Sequence, residues 1–440
     1  CFGPFLAMAS QRRLNAIAGH VQGGPHVMAS SVSALGKNTI GVKSPDDVVI
    51  VSALRTPIGK AGRGSFKSTT PDDLLVAVLK ATIEKTGIDP KQVQDICVGN
   101  VQLGGAYAGP ARMAALRAGF PVEVSLSSVN RQCSSGLQSV ANIAAAIKAG
   151  MIDCGIGAGV ESMSYGGGVA PGSGKAEPPP INLNEMLENQ LARDCLTPMG
   201  VTAETVAERY GITRAQQDEL AVRSHAKALE AQAKGYYRAE MIPVTITVED
   251  KDGNEQTVVV DKDDGPRAGT TIEGLSKLKT VFKPEGGSVT AGSASQVSDG
   301  AAAVLLMSRA KANQLGLRPI GVFRGYNVVG VQPDEMGIGP AAAIPLALNQ
   351  VGLKTNQVDI YEINEAFASQ AVYCVNKLGI DMSKVNPVGG AIALGHPLGC
   401  TGARQVATLL HGLKRTGGKT GVVSMCIGTG MGAAAVLEAE

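Results

Sequence analysis

Short apolar runs alternate along this chain with longer stretches of helical period. VVIVSA (48–53) reads as a strand buried on both faces. The turn-forming RTPIGKAGRG follows it. A helix is then predicted from Thr70, with Pro71 at its first position, Asp72 and Asp73 in its first turn and Gly87 ending it. GLQSVANIAAAIKAG (136–150) is apolar enough for a buried helix, and VDIYEI (358–363) is strand-like. Strand and helix patterns keep alternating to the C-terminus, which predicts an α/β layered fold.

The pattern also repeats. Gly87-Ile88 with Gln92-Val93 recurs as Gly352-Leu353 with Gln357-Val358, an offset of 265. Gly136-Leu-Gln-Ser-Val140 recurs as Gly402-Ala-Arg-Gln-Val406, and the run from Gly155 recurs at Gly421, both at an offset of 266. Each match alone is weak, but three in one order at a near-constant offset predict two similar α/β halves. The offset exceeds the length of one half, so a segment must be inserted between them. It opens at the loop PGSGKAEPPP. Charged helical sequence around 200–235 follows, with Thr213 and Gln216 spaced as a capping box and Gly235 as terminator. VTITVED and QTVVVDKD (244–250 and 256–263) read as a hairpin around Asp252-Gly253. The expected division is a leader over 1–46, an N-terminal half over 47–170 plus 285–313, an inserted unit over 171–284 and a C-terminal half over 314–440.

Composition narrows the function. With 44% apolar and 18% charged residues and a net charge of +2, an ordinary soluble globular protein fits; a nucleic-acid or polybasic membrane surface does not. The glycine-broken stretch 420–437 is no membrane span. Eight scattered cysteines lack CxxC or metal-ligand spacing, which predicts free thiols in a reducing compartment and no metal site. The first 45 residues hold no Asp or Glu but carry Arg12, Arg13, Lys37 and Lys43, as a targeting segment does. Met8 is a candidate start. Arg13 to Val21, RLNAIAGHV, resembles the N-terminal peroxisomal signal, with Leu14, Ile17 and Val21 on one helical face for an import receptor to read. A mitochondrial transit peptide is the alternative.

Four segments carry candidate chemistry. NRQCSSG places Cys133 at the start of the buried helix, where the dipole and free N–H groups lower a thiol pKa and can hold an oxyanion. Read alone, Cys133 is more often a small buried hydrophobe, the commonest fate of a free cysteine. INEAFASQ offers Asn364 to hold a water or an oxyanion, with Glu365 to orient a neighbour; a cap or turn is the bland reading. ALGHPLGCTGA sets His396 in a rigid loop as a candidate base, although a lone loop histidine is as often structural. SMCIGTGMG brings a second thiol, Cys426, to a strand end beside glycines, a position that also suits the core.

Together these segments resemble the thiolase family over residues 47 to 440, in the family's order: Cys-x-Ser at Cys133, NEAF, GHP and Cys-x-Gly near the end. The likeness is greatest to the peroxisomal 3-oxoacyl-CoA thiolases, through LARDCLTPMGVTAETVAERYGI and NEAFASQAVYC. The resemblance implies a duplicated layered fold and thiolytic cleavage of 3-oxoacyl-CoA in fatty acid β-oxidation. Coenzyme A and acyl-CoA would be substrates, with no cofactor and no metal. It implies Cys133 as the acylated nucleophile, His396 as the residue that activates it and Cys426 as acid and base. Asn364 would hold a water for the enolate, and the N–H groups of Cys133 and Gly428 would form the second oxyanion hole. The inserted unit would bind coenzyme A, with Met199 along the pantetheine or acyl channel and Arg267 near the nucleotide phosphate; Ser295, in AGSASQ of the N-terminal half, would contact pantetheine. Ser293 and Gln296 stand where the family often has Asn and Gly. A homodimer and a peroxisomal location are also implied. Competing readings are a biosynthetic acetoacetyl-CoA thiolase, an inactive lipid-binding relative and a decarboxylating 3-oxoacyl synthase. That synthase would pair its cysteine with histidines or asparagine in place of Cys426.

Overall fold

The computed structural model describes residues 37–166, 181–249 and 253–440. The proposed signal Arg13–Val21, the loop 171–180 and Asp252 of the hairpin turn lie outside the described residues. The strands are β1 (Val48–Arg55), β2 (Gly59–Lys60), β3 (Asp95–Gly99), β4 (Ser125–Val129), β5 (Cys154–Ser162), β6 (Val244–Glu249), β7 (Glu255–Val260), β8 (Ser298–Ser308), β9 (Gly321–Gly330), β10 (Ile360–Ile363), β11 (Thr420–Ile427) and β12 (Met431–Ala439). The helices that matter for the site are α1 (Pro71–Thr86), α2 (Ser135–Lys148), α3 (Met199–Tyr210), α4 (Arg214–Ala233), α5 (Gly339–Gln350), α6 (Ala368–Leu378) and α7 (Leu398–Thr416).

The local signals act as expected. Thr70 caps α1 in extended conformation and Gly87 ends it at φ 67°, though the Thr70 hydroxyl bonds Asp73 instead of the helix backbone. Thr213 and Gln216 form a full capping box on α4. The hairpin β6–β7 is antiparallel, with Val244 opposite Val260. At the other end of the chain the leader boundary falls too late. The Gly41 N–H donates to Glu438 Oε1 at 2.7 Å and Lys43 pairs with Glu440 at 3.2 Å, so the last residues assigned to the leader are fastened to the fold.

The repeat appears as topology. The sheet order is β10-β11-β12-β9-β1-β8-β5-β3-β4, in which β3, β5, β8 and β1 mirror β10, β11, β12 and β9. The halves meet where β1 pairs antiparallel with β9, at Val49–Val322 and Ile50–Gly321. β4 runs parallel to β3, whereas its counterpart beside β10 is reduced to one parallel bridge, Tyr361–Val385.

The cores explain the layers. One apolar cluster joins inward strand residues of both halves, such as Ile50, Val304, Val423 and Ala435, to Leu137 and Val140 of α2 and Leu409 and Leu410 of α7. Residues of α1 cover the outer face of the N-terminal strands, and residues of α5 cover that of the C-terminal strands. α2 and α7 therefore form a central layer between two strand layers, with further helices outside. α7 is buried from Gly399 to Leu413 almost without interruption. Each Leu, Ile or Val buried there contributes about 1.5–3 kcal/mol. Helix backbones this close tolerate no side chain at the crossing. A Cβ at Gly136 would lie 2.5 Å from the Gly399 carbonyl oxygen, and one at Gly159 would lie 2.0 Å from it. The N-termini of α2 and α7 thus meet at one point, beside the carboxyl ends of β3, β5, β10 and β11.

Candidate active site

Cys133 sits just before α2, whose N-cap is Ser134. The preceding loop is held tightly: the Ser135 hydroxyl accepts from Arg131 N at 2.9 Å and donates to Gln132 O at 2.7 Å. Gln132 has φ 46°, and Thr429, beyond Gly428, has φ 68°. Two non-glycine residues in this region, each costing about 1 kcal/mol or more, mark loops held in place by their surroundings. The loops face each other. The backbone N–H groups of Gly428 and of Cys133 itself favour negative charge on the Cys133 sulfur.

β10 and β11 run parallel, with Ile363 opposite Ser424, so Asn364 and Cys426 emerge side by side from their carboxyl ends. Cys426 is wholly buried among Met336, Ala366, Met199 and Phe367, and burial, with the neighbouring Cys133 adding to it, pushes its thiol well above the usual range. Its thiol donates to Gln370 Oε1 at 3.0 Å. His396 lies in the loop before α7. Its Nδ1 is 2.6 Å from Thr401 Oγ1, and the Thr401 hydroxyl donates to Pro397 O at 3.1 Å. Thr401 therefore accepts from Nδ1–H, which puts the lone pair on Nε2; there it accepts from the Asn364 amide and can act as a base once that bond yields. Nε2 faces Asn364 Nδ2 at 3.3 Å, while Asn364 Oδ1 is buried without a partner. Glu365 turns away. Its carboxylate accepts from Ser224, Asn386 and the Ile392 N–H, and it fills the space at Gly390, where a Cβ would lie 2.2 Å from it. It orients the loop scaffold and touches none of the four.

Burial decides the charge states, and it corrects one sequence expectation. The helix N-terminus was expected to lower the Cys133 pKa. Desolvation outweighs the two N–H donors and pushes the thiol up to about 11. Burial pushes His396 down to about 3, with Arg404 adding to the effect. The resting site thus holds a neutral thiol and a neutral imidazole, and no ion pair. Alkylation of Cys133 by iodoacetamide in the free protein should accelerate steadily with pH and show no plateau below about pH 9. A plateau near pH 6 to 7 would instead reveal a thiolate–imidazolium pair.

Comparison with known proteins agrees with this arrangement. Residues 48–310 match the thiolase N-terminal domain and residues 317–439 the thiolase C-terminal domain. The chain belongs to the thiolase family. It is 58% identical over 427 residues to the mouse protein named 3-ketoacyl-CoA thiolase A, peroxisomal, covering 97% of this chain and 99% of that one. The human 3-ketoacyl-CoA thiolase, peroxisomal, is 54% identical over 428 residues, with the same coverage. The crystal structure described as the dimeric peroxisomal thiolase of Saccharomyces cerevisiae superposes with TM-score 0.83 at 47% identity, over 92% of this chain and all of that one. A second yeast structure, described as five-layered and built from two core domains of identical topology, gives TM-score 0.74 at 43% identity, over 91% of this chain and all of that one.

Around this thiolase site the structure adds residues that the sequence reading passed over. Gln370 and Thr401 lie inside segments singled out for other residues. Glu161 closes β5 and accepts from the N–H groups of Gly399, Val101 and Gln102 and from Asn100 Nδ2, which ties both halves together at the start of α7. Burial pushes its carboxyl up to about 7.

Beside the thiolase centre lies a cavity of about 400 Å3, lined among others by Ser295, Arg267, Lys60, Arg63, His225 and Phe282. Ser295 N bonds Ala366 O at 2.9 Å and Ala294 bridges to Phe367, so the cavity wall is continuous with the apolar nest of Cys426. Phe282 meets Phe367 edge-on at 5.9 Å. Met199 is half-buried at the Cys426 end. At the far end Lys60 is pushed down by burial and by the charges of Arg267 and Arg63, which outweigh the opposing carboxylate of Asp264; an anion would relieve the remaining excess of positive charge. Lys60 and Arg63 stand in RTPIGKAGRG, a segment whose glycines and proline read only as a turn.

Proposed function

We propose that this chain cleaves 3-oxoacyl-CoA with coenzyme A, yielding acetyl-CoA and an acyl-CoA shortened by two carbons, as a peroxisomal thiolase of fatty acid β-oxidation. The observation that carries the reading is the pair of thiols, Cys133 and Cys426, buried in one site with His396 and Asn364. Breaking a carbon–carbon bond next to a ketone needs a soft nucleophile, a sink for enolate charge and a proton donor. The Cys133 sulfur attacks the 3-oxo carbon while His396 Nε2 takes its proton. The C2–C3 bond breaks, its electron pair forms the acetyl-CoA enolate, and the Cys426 thiol protonates C2. The Cys426 thiolate then takes the proton of incoming coenzyme A, whose sulfur attacks the acyl-Cys133 carbonyl. Collapse of that tetrahedral intermediate returns the proton held on His396 to the leaving Cys133 sulfur.

The N–H groups of Cys133 and Gly428, both of which favour negative charge at Cys133, suit the oxyanion of the acyl step. The unpartnered Oδ1 of Asn364 suits a water for the enolate. Coenzyme A and acyl-CoA serve as substrates, and the chemistry calls for no metal or cofactor. The inserted unit 171–284 is read as the coenzyme A-binding loop domain, with Met199 near the thiol end and Arg267 at the phosphates, while Ser295 of the N-terminal half lies along pantetheine. Arg267→Ala should raise the KM for coenzyme A roughly tenfold while leaving kcat within about twofold, because it removes binding common to ground and transition states. A large fall in kcat with KM unchanged would remove Arg267 from that role.

A homodimer is part of the proposal. The sheet ends at β4, an open edge with Met113, Leu116 and Val122 exposed nearby. Recognition of Arg13–Val21 by an import receptor is the accompanying reading of the leader. The purified protein should consume 3-oxoacyl-CoA of several chain lengths only when free coenzyme A is present. Consumption independent of coenzyme A, or none, would overturn the assignment.

A further inference from the structure

Gln370 is 1% exposed and lies in the first turn of α6, one turn before Cys374. Its stem packs closely on the Gly337 backbone, where an added Cβ would lie 2.6 Å from the Gln370 Cβ. Its amide makes two bonds of opposite kind. Nε2 donates to the Asn364 carbonyl at 3.2 Å, and Oε1 accepts from the Cys426 thiol at 3.0 Å. The Asn364 carbonyl can only accept, so the NH2 group must face it, and the amide oxygen must face the sulfur. A primary amide free to rotate would serve thiol and thiolate alike, by turning oxygen or nitrogen to the sulfur. This one is held in the orientation that suits the thiol.

The same amide completes a chain across the site, from the Cys426 thiol through Gln370 to the Asn364 backbone, then from Asn364 Nδ2 to His396 and on to Thr401. The titratable groups acting on Cys426 are Cys133 and Cys374, two thiols with no cation between them, and its other contacts are apolar. Among the described residues, Gln370 is thus the polar side chain recorded in a hydrogen bond with the Cys426 sulfur.

We propose that Gln370 is a positioning residue that holds Cys426 as a directed thiol, ready to protonate the departing enolate, and fixes it in register with Asn364 and His396. This rests on the functional reading above, in which Cys426 is the proton donor. Once Cys426 has given up its proton, the locked amide oxygen opposes the thiolate. The thiolate is then a stronger base toward incoming coenzyme A, so one fixed amide serves both half-reactions.

Two variants at this position separate positioning from packing. Gln370→Met keeps the volume and loses both bonds. Gln370→Glu, when its carboxyl is protonated, keeps them both: its O–H donates to Asn364 O and its other oxygen accepts from Cys426. Burial raises a carboxyl pKa, so the glutamic acid form persists above the usual range and is lost as pH rises. With wild type run in parallel and folding checked by thermal melting, kcat and KM for 3-oxoacyl-CoA cleavage are measured across pH 5 to 9. The expected result is a kcat roughly 10- to 100-fold low at every pH for Gln370→Met, with KM within about threefold. Gln370→Glu should approach wild type at the acid end and fall toward the Met variant as pH rises, an alkaline limb that wild type lacks. The inference is overturned if Gln370→Met retains near wild-type kcat, or if Gln370→Glu shows the same pH profile as wild type or as Gln370→Met. If Gln370→Met does not fold, the pH profile of Gln370→Glu decides alone. An inactive wild type would instead sink the functional reading.

Discussion

Cys133→Ser should lower turnover by roughly 10⁴-fold or more while leaving the melting temperature nearly unchanged. The substitution swaps one atom in a site already shaped by Ser135, Gly428 and the start of α2, so packing barely changes. The chemistry changes far more. A serine hydroxyl is a poorer nucleophile than a thiol, its proton is far harder to remove, and neutral His396 is too weak a base to make up the difference. Steady-state turnover and differential scanning calorimetry on the same preparation test both halves of the expectation. Turnover within tenfold of wild type would mean that the acyl group is carried elsewhere.

Cys426→Ala should slow steady-state cleavage by about 10²- to 10⁴-fold, the range typical of losing a general acid or base. Both half-reactions suffer, since the enolate loses its proton donor and coenzyme A loses its base. The acylation of Cys133 still proceeds slowly, with water supplying the proton. Burst kinetics read this directly: the pre-steady-state acylation rate and the coenzyme A-dependent deacylation rate should both fall. A variant that retained wild-type rates in both phases would make Cys426 a core residue and leave the proposed chemistry without its acid.

Much of this was legible in the sequence because the signals are local. Thr70, Pro71 and Gly87 bound α1 through backbone geometry that needs no tertiary context, and the Thr213–Gln216 box does the same for α4. The repeat was legible because each half must build the same strand–helix units, so glycines at the crossing of α2 and α7 recur at one offset. Cys133, Asn364, His396 and Cys426 were each ambiguous alone and stood out together, as four segments in the order of the family they resemble. What escaped was whatever depends on contact between distant segments. Gln370 looks like any polar residue in an amphipathic helix until α6 packs it beside Cys426. Glu161 looks like a strand-end carboxylate until Gly399, 238 positions away, donates to it. The Cys133 pKa was misjudged for the same reason. A helix N-terminus is visible in sequence, whereas the burial that outweighs it exists only in the packed fold.

The central claim is that Cys133 carries the acyl group, and trapping that intermediate tests it most directly. Wild-type protein is mixed with a 3-oxoacyl-CoA in the absence of free coenzyme A, quenched in acid, cleaved with trypsin and weighed. Trypsin releases Cys133 in the peptide 132–148 and Cys426 in the peptide 420–440. The account predicts that the mass of the shortened acyl group appears on peptide 132–148 and disappears when coenzyme A is added before the quench. An adduct confined to peptide 420–440, or no adduct on either peptide during active turnover, would contradict it.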